Sequence, residues 1–271
     1  VDRYWSGTHA GAETVVADLE QREVRYALLR DVETVVHLGN VSNVRVGDAQ
    51  SVFAINTRIN ANLFMAAQHL GVKKIIFAST IQVVTGALDD PSNILGQVPY
   101  LPFDGEMPPN AVNAYSQSKL ASENYLEMLM RRNPELDITC LRLPSCIPYR
   151  KYAQGIKHHR AYPAYARERF EQGDCRDTAF TVLLFADLGR LFDACLRTRM
   201  AGMRKYLPAS RLYLYSELLT LREIVEKHYP GVPLRKPLEE LDSLVDNTPI
   251  MEQTGWQPLP PEELEEAETV A

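Results

Sequence analysis

The residues of this chain best suited to chemistry are a tyrosine and a lysine in the segment Tyr115-Ser-Gln-Ser-Lys119. On a helix, residues four apart share one face, with Cβ atoms about 6 Å apart. An ammonium group there would favour the phenolate and lower the pKa of Tyr115, making it a general acid/base near neutral pH. The chain has 13 tyrosines, and solvated helix faces often carry such pairs, so the context of the pair must decide.

The elements around the pair predict how it is placed. Short apolar runs alternate with longer helix-like segments, which indicates βαβ units and a parallel sheet. The predicted strands are 13–17, 34–38, 73–78 and 137–143, and the predicted helices are 20–30, 48–70 and 113–132. In such a sheet the carboxyl ends of the strands face the ligand crevice. Thr80, Tyr115 and the segment Leu143-Pro144-Ser145 are therefore expected at one edge.

This pattern predicts an α/β fold with a doubly wound parallel sheet over residues 1–143. Beyond residue 143 the alternation loosens, which predicts a smaller α+β substrate lobe over 144–271 with some segments returning to the sheet. Its predicted helices and strands are 161–172, 179–182, 185–199, 205–207 and 221–228. A proline-rich segment, 80–112, is predicted to be a functional loop.

Composition excludes several classes of protein. The 271 residues carry a net charge of −6, which disfavours nucleic acid as the main ligand. The chain has no apolar run of about 18 residues, so no membrane span is predicted. The four cysteines form no C-x-x-C pair and no His lies at zinc-ligand spacing, so we predict no metal site. Free thiols suit a reducing cytosol.

Further motifs, in order along nearly the whole chain, resemble the extended short-chain dehydrogenase/reductases of the NAD-dependent epimerase/dehydratase group. Tyr115, Lys119 and Glu123 match the pattern Y-x-x-S-K-x-x-x-E of that family. The other matching segments are Asp18-Leu19, VVHLGN at 35–40, Asn56 with NLFMAA at 62–67, FAST at 77–80, Arg142-Leu143-Pro144 and TGWQP at 254–258.

The resemblance implies a role for each matching position. Tyr115 would be the acid/base, Lys119 would bind the nicotinamide ribose and lower the pKa of Tyr115, and Thr80 would bond the reacting oxygen, with Ser79 as an alternative. The implied cofactor contacts are Tyr115 and Lys119 themselves, Asp18 and Leu19 at adenine, Leu38, Gly39, Asn40 and Asn56 along the cleft, Ala78 and Ser79 beside it, and Pro144 and Ser145 at the nicotinamide.

The chain also departs from the family pattern. The Gly-rich turn G-x-x-G-x-x-G, which holds the pyrophosphate, does not occur before residue 39. The spacing from Asp2 to Asp18 favours a longer protein, in which roughly 30 residues of strand, turn and helix precede Val1, over a protein that never had this turn. In that case Asp2 would bond the adenosine ribose, favouring NAD, while Arg3 keeps NADP open.

Other departures narrow the reaction. Ile81 and Gln82 replace the Asp-Glu pair of the dehydratases, which argues against a 4,6-dehydratase. The family alanine after V-V-H-L-A is Asn40, and the threonine of N-V-x-G-T is Asn60. A basic run at 151–160 could hold a diphosphate or carboxylate, although a solvated loop is the more common explanation.

The leading hypothesis is an NAD(P)-dependent epimerase or oxidoreductase acting on a sugar or nucleotide-sugar hydroxyl. One alternative is a dehydrogenase of a free sugar acid or a small carbonyl compound. Another is a catalytically idle, cofactor-binding scaffold. The helices at 48–70 and 113–133 could pair in a homodimer, with Met65, Met128 and Met130 in the shared face.

Overall fold

The structure is a computed structural model that describes residues 11–42, 48–85 and 98–269. Its strands are β1 (Thr34–His37), β2 (Lys74–Thr80), β3 (Asp137–Leu143), β4 (Ser145–Ile147), β5 (Val182–Leu184) and β6 (Gly202–Tyr206). Within the described residues, β1, β2, β3 and β6 form a parallel sheet in that order, and β4 pairs in parallel with β5. The predicted parallel α/β architecture is confirmed.

Helices flank the sheet and follow its strands. They are α1 (Arg22–Leu28), α2 (Ala49–His69), α3 (Gln82–Thr85), α4 (Ala114–Arg132), α5 (Tyr149–Ala161), α6 (Pro163–Glu171), α7 (Phe185–Arg197), α8 (Leu221–His228), α9 (Thr248–Thr254) and α10 (Leu264–Thr269). None of the helices in the described ranges is both long and apolar enough to cross a bilayer.

The central strands are buried because helices cover both faces of the sheet. All seven residues of β2 are buried, as expected for a parallel strand with an almost continuous apolar sequence. Phe77 of β2 lies opposite Cys140 of β3. On one face, Phe77 packs with Leu63 and Phe64 of α2 and with Leu126 of α4. This packing fixes α2 and α4 against the strands that carry the candidate site.

Capping residues set where the two long helices begin. Asp48 accepts a hydrogen bond from the amide of Ser51 at the start of α2. Asn113 and Ser116 form a reciprocal capping box at the start of α4. Each cap satisfies amide groups that have no partner inside the helix. The first residues of α4, including Tyr115, therefore have a fixed position.

Three predictions about elements are wrong. Residues 13–17 form no strand; only Val16 carries a β-bridge, and its side chain is half exposed. The predicted strand at 179–182 begins only at Val182, because Ala179 and Phe180 have positive φ angles that a strand does not allow. The basic run at 151–160 is not a loop but lies in α5.

Part of the second half of the chain joins the main sheet. Strand β6 pairs with β3 from Asp137↔Gly202 to Leu141↔Tyr206, which agrees with the expected return of C-terminal segments. A division into domains at residue 143 stays a prediction.

Candidate active site

One face of α4 carries the side chains that meet the carboxyl end of β2. Tyr115, Lys119 and Glu123 are spaced four residues apart on this helix. The Lys119 Nζ atom donates a hydrogen bond of 2.6 Å to the carbonyl of Ala78. The Ser79 hydroxyl donates one of 2.6 Å to Oε1 of Glu123. These two contacts hold this face of the helix to the strand end.

Lys119 is almost fully buried, with 2% of its surface exposed. Its Nζ also donates a 2.6 Å hydrogen bond to Oδ1 of Asn40 and lies 4.8 Å from the centre of the Phe77 ring. Burial lowers the pKa of Lys119 to about 7, although the nearby Glu123 carboxylate and the Cys140 thiol oppose the change. The ammonium is therefore held close to its titration point at neutral pH.

Tyr115 is partly buried at the start of the same face. Burial raises its pKa to about 12, and the neighbouring Cys146 thiol adds to the rise. The expected net lowering of the pKa of Tyr115 beside Lys119 is wrong, because the loss of solvation dominates. The physical reason is that the ammonium lies 5.6 Å from the ring centre and is bonded to Asn40 and Ala78, while the phenol loses solvation.

The end of β2 distinguishes Thr80 from Ser79. The Ser79 hydroxyl is bonded to Glu123 inside a buried ionic network. The Thr80 hydroxyl accepts only a long 3.3 Å hydrogen bond from the amide of Gln82. A hydroxyl with a weak partner has more capacity to bind a reacting oxygen. This difference agrees with Thr80, rather than Ser79, as the implied contact.

Asn56 lies buried on α2 and contacts helix α4. Its side chain accepts from the amide of Val41 at 2.8 Å and donates to the carbonyl of Val41 at 2.9 Å. It also donates to the Ser118 hydroxyl at 3.1 Å. Asn56 therefore fixes the backbone that follows β1 to helix α4.

The segment around the carboxyl end of β1 offers an apolar surface. Leu38 is 56% exposed. A Cβ atom at Gly39 would lie 3.3 Å from Cδ1 of Leu19, so the two segments approach closely. The Asp18 carboxylate accepts a 3.0 Å hydrogen bond from the amide of Glu20. Asp2 lies outside the described residues.

The segment after β3 completes the same edge. Pro144 joins β3 to β4, and Ser145 opens β4 opposite Val182. Cys146 follows and is the thiol that affects Tyr115. The structure thus brings Tyr115, Lys119, Asn40, Ala78 and Asn56 into one connected set, while Pro144 and Ser145 lie at the strand end beside it.

The comparison with protein families shows to which family the chain belongs. The model of the NAD dependent epimerase/dehydratase family matches residues 2–193. The chain belongs to this family. The sequence-based identification of the family is therefore confirmed.

One relative is similar to part of this chain. The protein named "Putative UDP-glucose 4-epimerase" of Methanocaldococcus jannaschii is 30% identical over 123 residues. The alignment spans 44% of this chain but only 37% of that relative.

Two solved structures show the likeness of the fold. The UDP-glucose 4-epimerase of Thermotoga maritima, crystallised with UDP-glucose, has a TM-score of 0.65 at 20% identity, covering 100% of this chain and 90% of that one. The uronate dehydrogenase of Agrobacterium tumefaciens has a TM-score of 0.60 at 17% identity, covering 99% and 77%. At these identities the likeness establishes the fold alone.

The residues of this family member fit a nicotinamide dinucleotide. Its family is named for NAD dependence, and a Bordetella bronchiseptica enzyme of the same fold was crystallised with NAD and UDP, so the choice of NAD is confirmed at the level of the family. Lys119 uses two of its three N–H groups on Asn40 and Ala78, which leaves one for a ribose hydroxyl. The exposed Leu38 beside Leu19 suits an adenine ring.

Sequence reasoning missed a buried ionic network behind the site. Arg142 of β3 donates to both carboxylate oxygens of Glu123, at 3.1 and 2.8 Å, and to the carbonyls of Gly105 and Met107, each at 3.0 Å. Glu123 lies four residues after Lys119, so the helical spacing was an available signal. No group of three or more potential metal ligands occurs in residues 11–42, 48–85 and 98–269.

Proposed function

We propose that this chain is an NAD-dependent epimerase or oxidoreductase that acts on a hydroxyl of a sugar or nucleotide sugar. One observation carries the proposal: the Tyr115–Lys119 face of α4 is fixed, partly buried, against the carboxyl end of a parallel strand. In open α/β sheets ligands bind at this edge, and a positioned tyrosine there can transfer a proton.

Each side chain then has a defined task. Bound NAD supplies the hydride chemistry. Tyr115 gives a proton to, or takes it from, the reacting oxygen of the sugar. Thr80 hydrogen-bonds that oxygen, and Lys119 directs its remaining N–H towards the cofactor ribose. Thr80 and Lys119 are buried and Tyr115 is partly buried, which limits access of water and strengthens their electrostatic interactions.

The protonation states suit these tasks. With a pKa of about 12, Tyr115 is protonated at neutral pH and is ready to act as an acid. To act as a base it must become a phenolate, which hydrogen bonds and nearby positive charge stabilise. A protonated Lys119 supplies positive charge on the same helix face, and its pKa of about 7 makes the step sensitive to pH.

A free sugar acid is a second candidate substrate. Helix α5 follows β4 directly and contains six basic or histidine residues but no acidic one. Arg150 and Lys157 of α5 line an open cavity of about 560 Å³, together with Glu265 and Glu268. The names of the uronate dehydrogenase neighbours support the same class of substrate.

The deciding test is Tyr115→Phe, with Tyr125→Phe on the same helix as a matched control. Turnover is measured with UDP-hexoses and free hexuronic acids, and NAD affinity by fluorescence titration. Loss of the phenol should lower kcat at least about a hundredfold and leave NAD affinity nearly unchanged, while Tyr125→Phe retains activity. Net NADH formation would identify a dehydrogenase, and isomerised sugar without NADH an epimerase.

If Tyr115→Phe keeps full activity, the chemistry proposed for this site is wrong. If the wild type binds NAD but converts no substrate of either class, the alternative of an idle cofactor-binding scaffold becomes the better explanation.

A further inference from the structure

Two asparagines, the buried Asn60 and the half-buried Asn40, form an amide pair next to Lys119. Asn40 donates to Oδ1 of Asn60 at 2.7 Å, and Asn60 donates back to Oδ1 of Asn40 at 3.3 Å. Both stand where the sequence departs from the family pattern, Asn40 in place of alanine and Asn60 in place of threonine. Two departures 20 residues apart thus meet in one contact.

Hydrogen-bond donors of known direction fix how both amides are turned. The Ser122 hydroxyl donates to the carbonyl of Ser118, so its oxygen accepts from Asn60 Nδ2 at 2.7 Å. Asn60 Oδ1 then faces His37 Nε2 at 2.7 Å. At the other end, an ammonium can only donate, so Lys119 requires the oxygen of Asn40.

The same series of hydrogen bonds fixes the protonation state of His37. Burial lowers its pKa to about 4, so the ring is neutral at pH 7. Because Asn60 Oδ1 can only accept, His37 Nε2 carries the proton. Every hydrogen bond from His37 to Lys119 therefore joins a donor to an acceptor. The amides of Asn40 and Asn60 consequently have one orientation.

We propose that Asn40 and Asn60 are positioning residues that hold the Lys119 ammonium in its charged form and aim its third N–H at the cofactor. The inference rests on the proposed function for its catalytic meaning. An alanine side chain at position 40 would offer no acceptor. In this chain Asn40 Oδ1 accepts the N–H that Lys119 directs to that side. The other groups around Lys119 are Tyr115 and Glu123 on α4, Cys140 on β3 and His37 on β1.

The test measures the titration of Lys119 directly. Lysine side-chain NMR gives the titration midpoint of Lys119, whose signal is assigned by its loss in Lys119→Met. The proteins compared are the wild type, Asn40→Ala, Asn60→Thr and, as a control on the same helix as Asn60, Asn62→Ala. Loss of a hydrogen bond to a charged group should lower the midpoint by about one pH unit in Asn40→Ala. Asn60→Thr should lower it by less, and Asn62→Ala should not change it.

Kinetics give a second readout that a purely structural role would not move. In Asn40→Ala the fall of kcat with rising pH should begin about one pH unit lower than in the wild type, while KM for the sugar stays unchanged. The double variant Asn40→Ala/Asn60→Thr should be no worse than Asn40→Ala, because the pair acts as one unit.

The outcomes separate the inference from the proposed function. An unchanged Lys119 midpoint in folded Asn40→Ala overturns the inference, whatever the activity. If Asn40→Ala does not fold, an unchanged midpoint in Asn60→Thr overturns the role of the pair. A shifted midpoint in a chain without turnover supports the inference while the proposed function fails.

Discussion

At the scale of single residues, Lys119 is a basic side chain that is almost completely removed from water. Folding lowers its pKa from 10.5 to about 7. Between these values the unfolded chain binds more protons than the folded one, so stability rises with pH. Below pH 7 the cost of burying the charge is fully present, and it disappears as the pH approaches 10.5.

Replacing Lys119 by Met should therefore change the pH dependence of stability. Between pH 7 and pH 10 the wild type should gain about 3.5 kcal/mol relative to Lys119→Met. Urea unfolding at both pH values measures the gain, with the exposed Lys73→Met as a control that should follow the wild type. A constant difference between wild type and Lys119→Met would contradict the burial of a charged amine.

The sequence predicted the Tyr115–Lys119 pair because its spacing is local. It could not predict the direction of the pKa of Tyr115, since burial depends on elements distant in the chain. The roles of Asn60 and Arg142 were hidden for the same reason. Asn60 meets Ser122 across 62 positions, and Arg142 meets Gly105 across 37.

At the scale of elements, the start of α4 decides where Tyr115 lies. Asn113 caps the helix two residues before Tyr115 and also donates a 3.2 Å hydrogen bond to Oε1 of Gln82. Gln82 in turn donates to the Asp177 carboxylate at 3.0 Å. The cap thus connects helix α4 with the segment after β2 and with the second half of the chain.

Asn113→Ala and Thr220→Ala form a matched pair, because Thr220 makes the same capping box at α8. Each substitution should cost about 1 kcal/mol of stability. Only Asn113→Ala should also lower kcat, since it loosens the turn that holds Tyr115. Thermal unfolding and steady-state kinetics test this, and equal kcat values for the two variants would refute a positioning role for the cap.

The elements differed in how well the sequence predicted them. Strand β3 has the predicted bounds, 137–143, because a buried parallel strand is apolar along its length. Helix α5 was missed because its charges dominate the segment. Its apolar positions, Tyr149, Tyr152 and Ile156, nevertheless have helical spacing, and these three pack into one cluster.

At the scale of the whole molecule, the expected homodimer stays a prediction. Met65 of α2 is 41% exposed, as a contact face would require. Met128 and Met130 are partly buried and pack against the core, which is the ordinary role of methionine on a helix. The exposed part of α2 is therefore the surface that would form the predicted homodimer contact.

The two ends of β3 carry separate buried ionic networks. At its amino end, Asp137 accepts from Lys74 Nζ and from the amide of Met200, each at 3.1 Å, and pairs with Arg204. At its carboxyl end, Arg142 pairs with Glu123 beside Lys119. Ligands bind at the carboxyl ends of parallel strands, so only the second network should affect the chemistry.

Asp137→Asn and Arg142→Gln should consequently separate stability from activity. Each breaks a buried ion pair and should cost about 3 kcal/mol in urea unfolding. Asp137→Asn should keep the wild-type kcat, because it acts at the far edge of the sheet. Arg142→Gln should lower kcat as well, since Glu123 keeps an unbalanced charge next to Lys119 and its bond with Ser79 is disturbed. Equal losses of kcat would mean that the network at the carboxyl end acts on the site only through general stability.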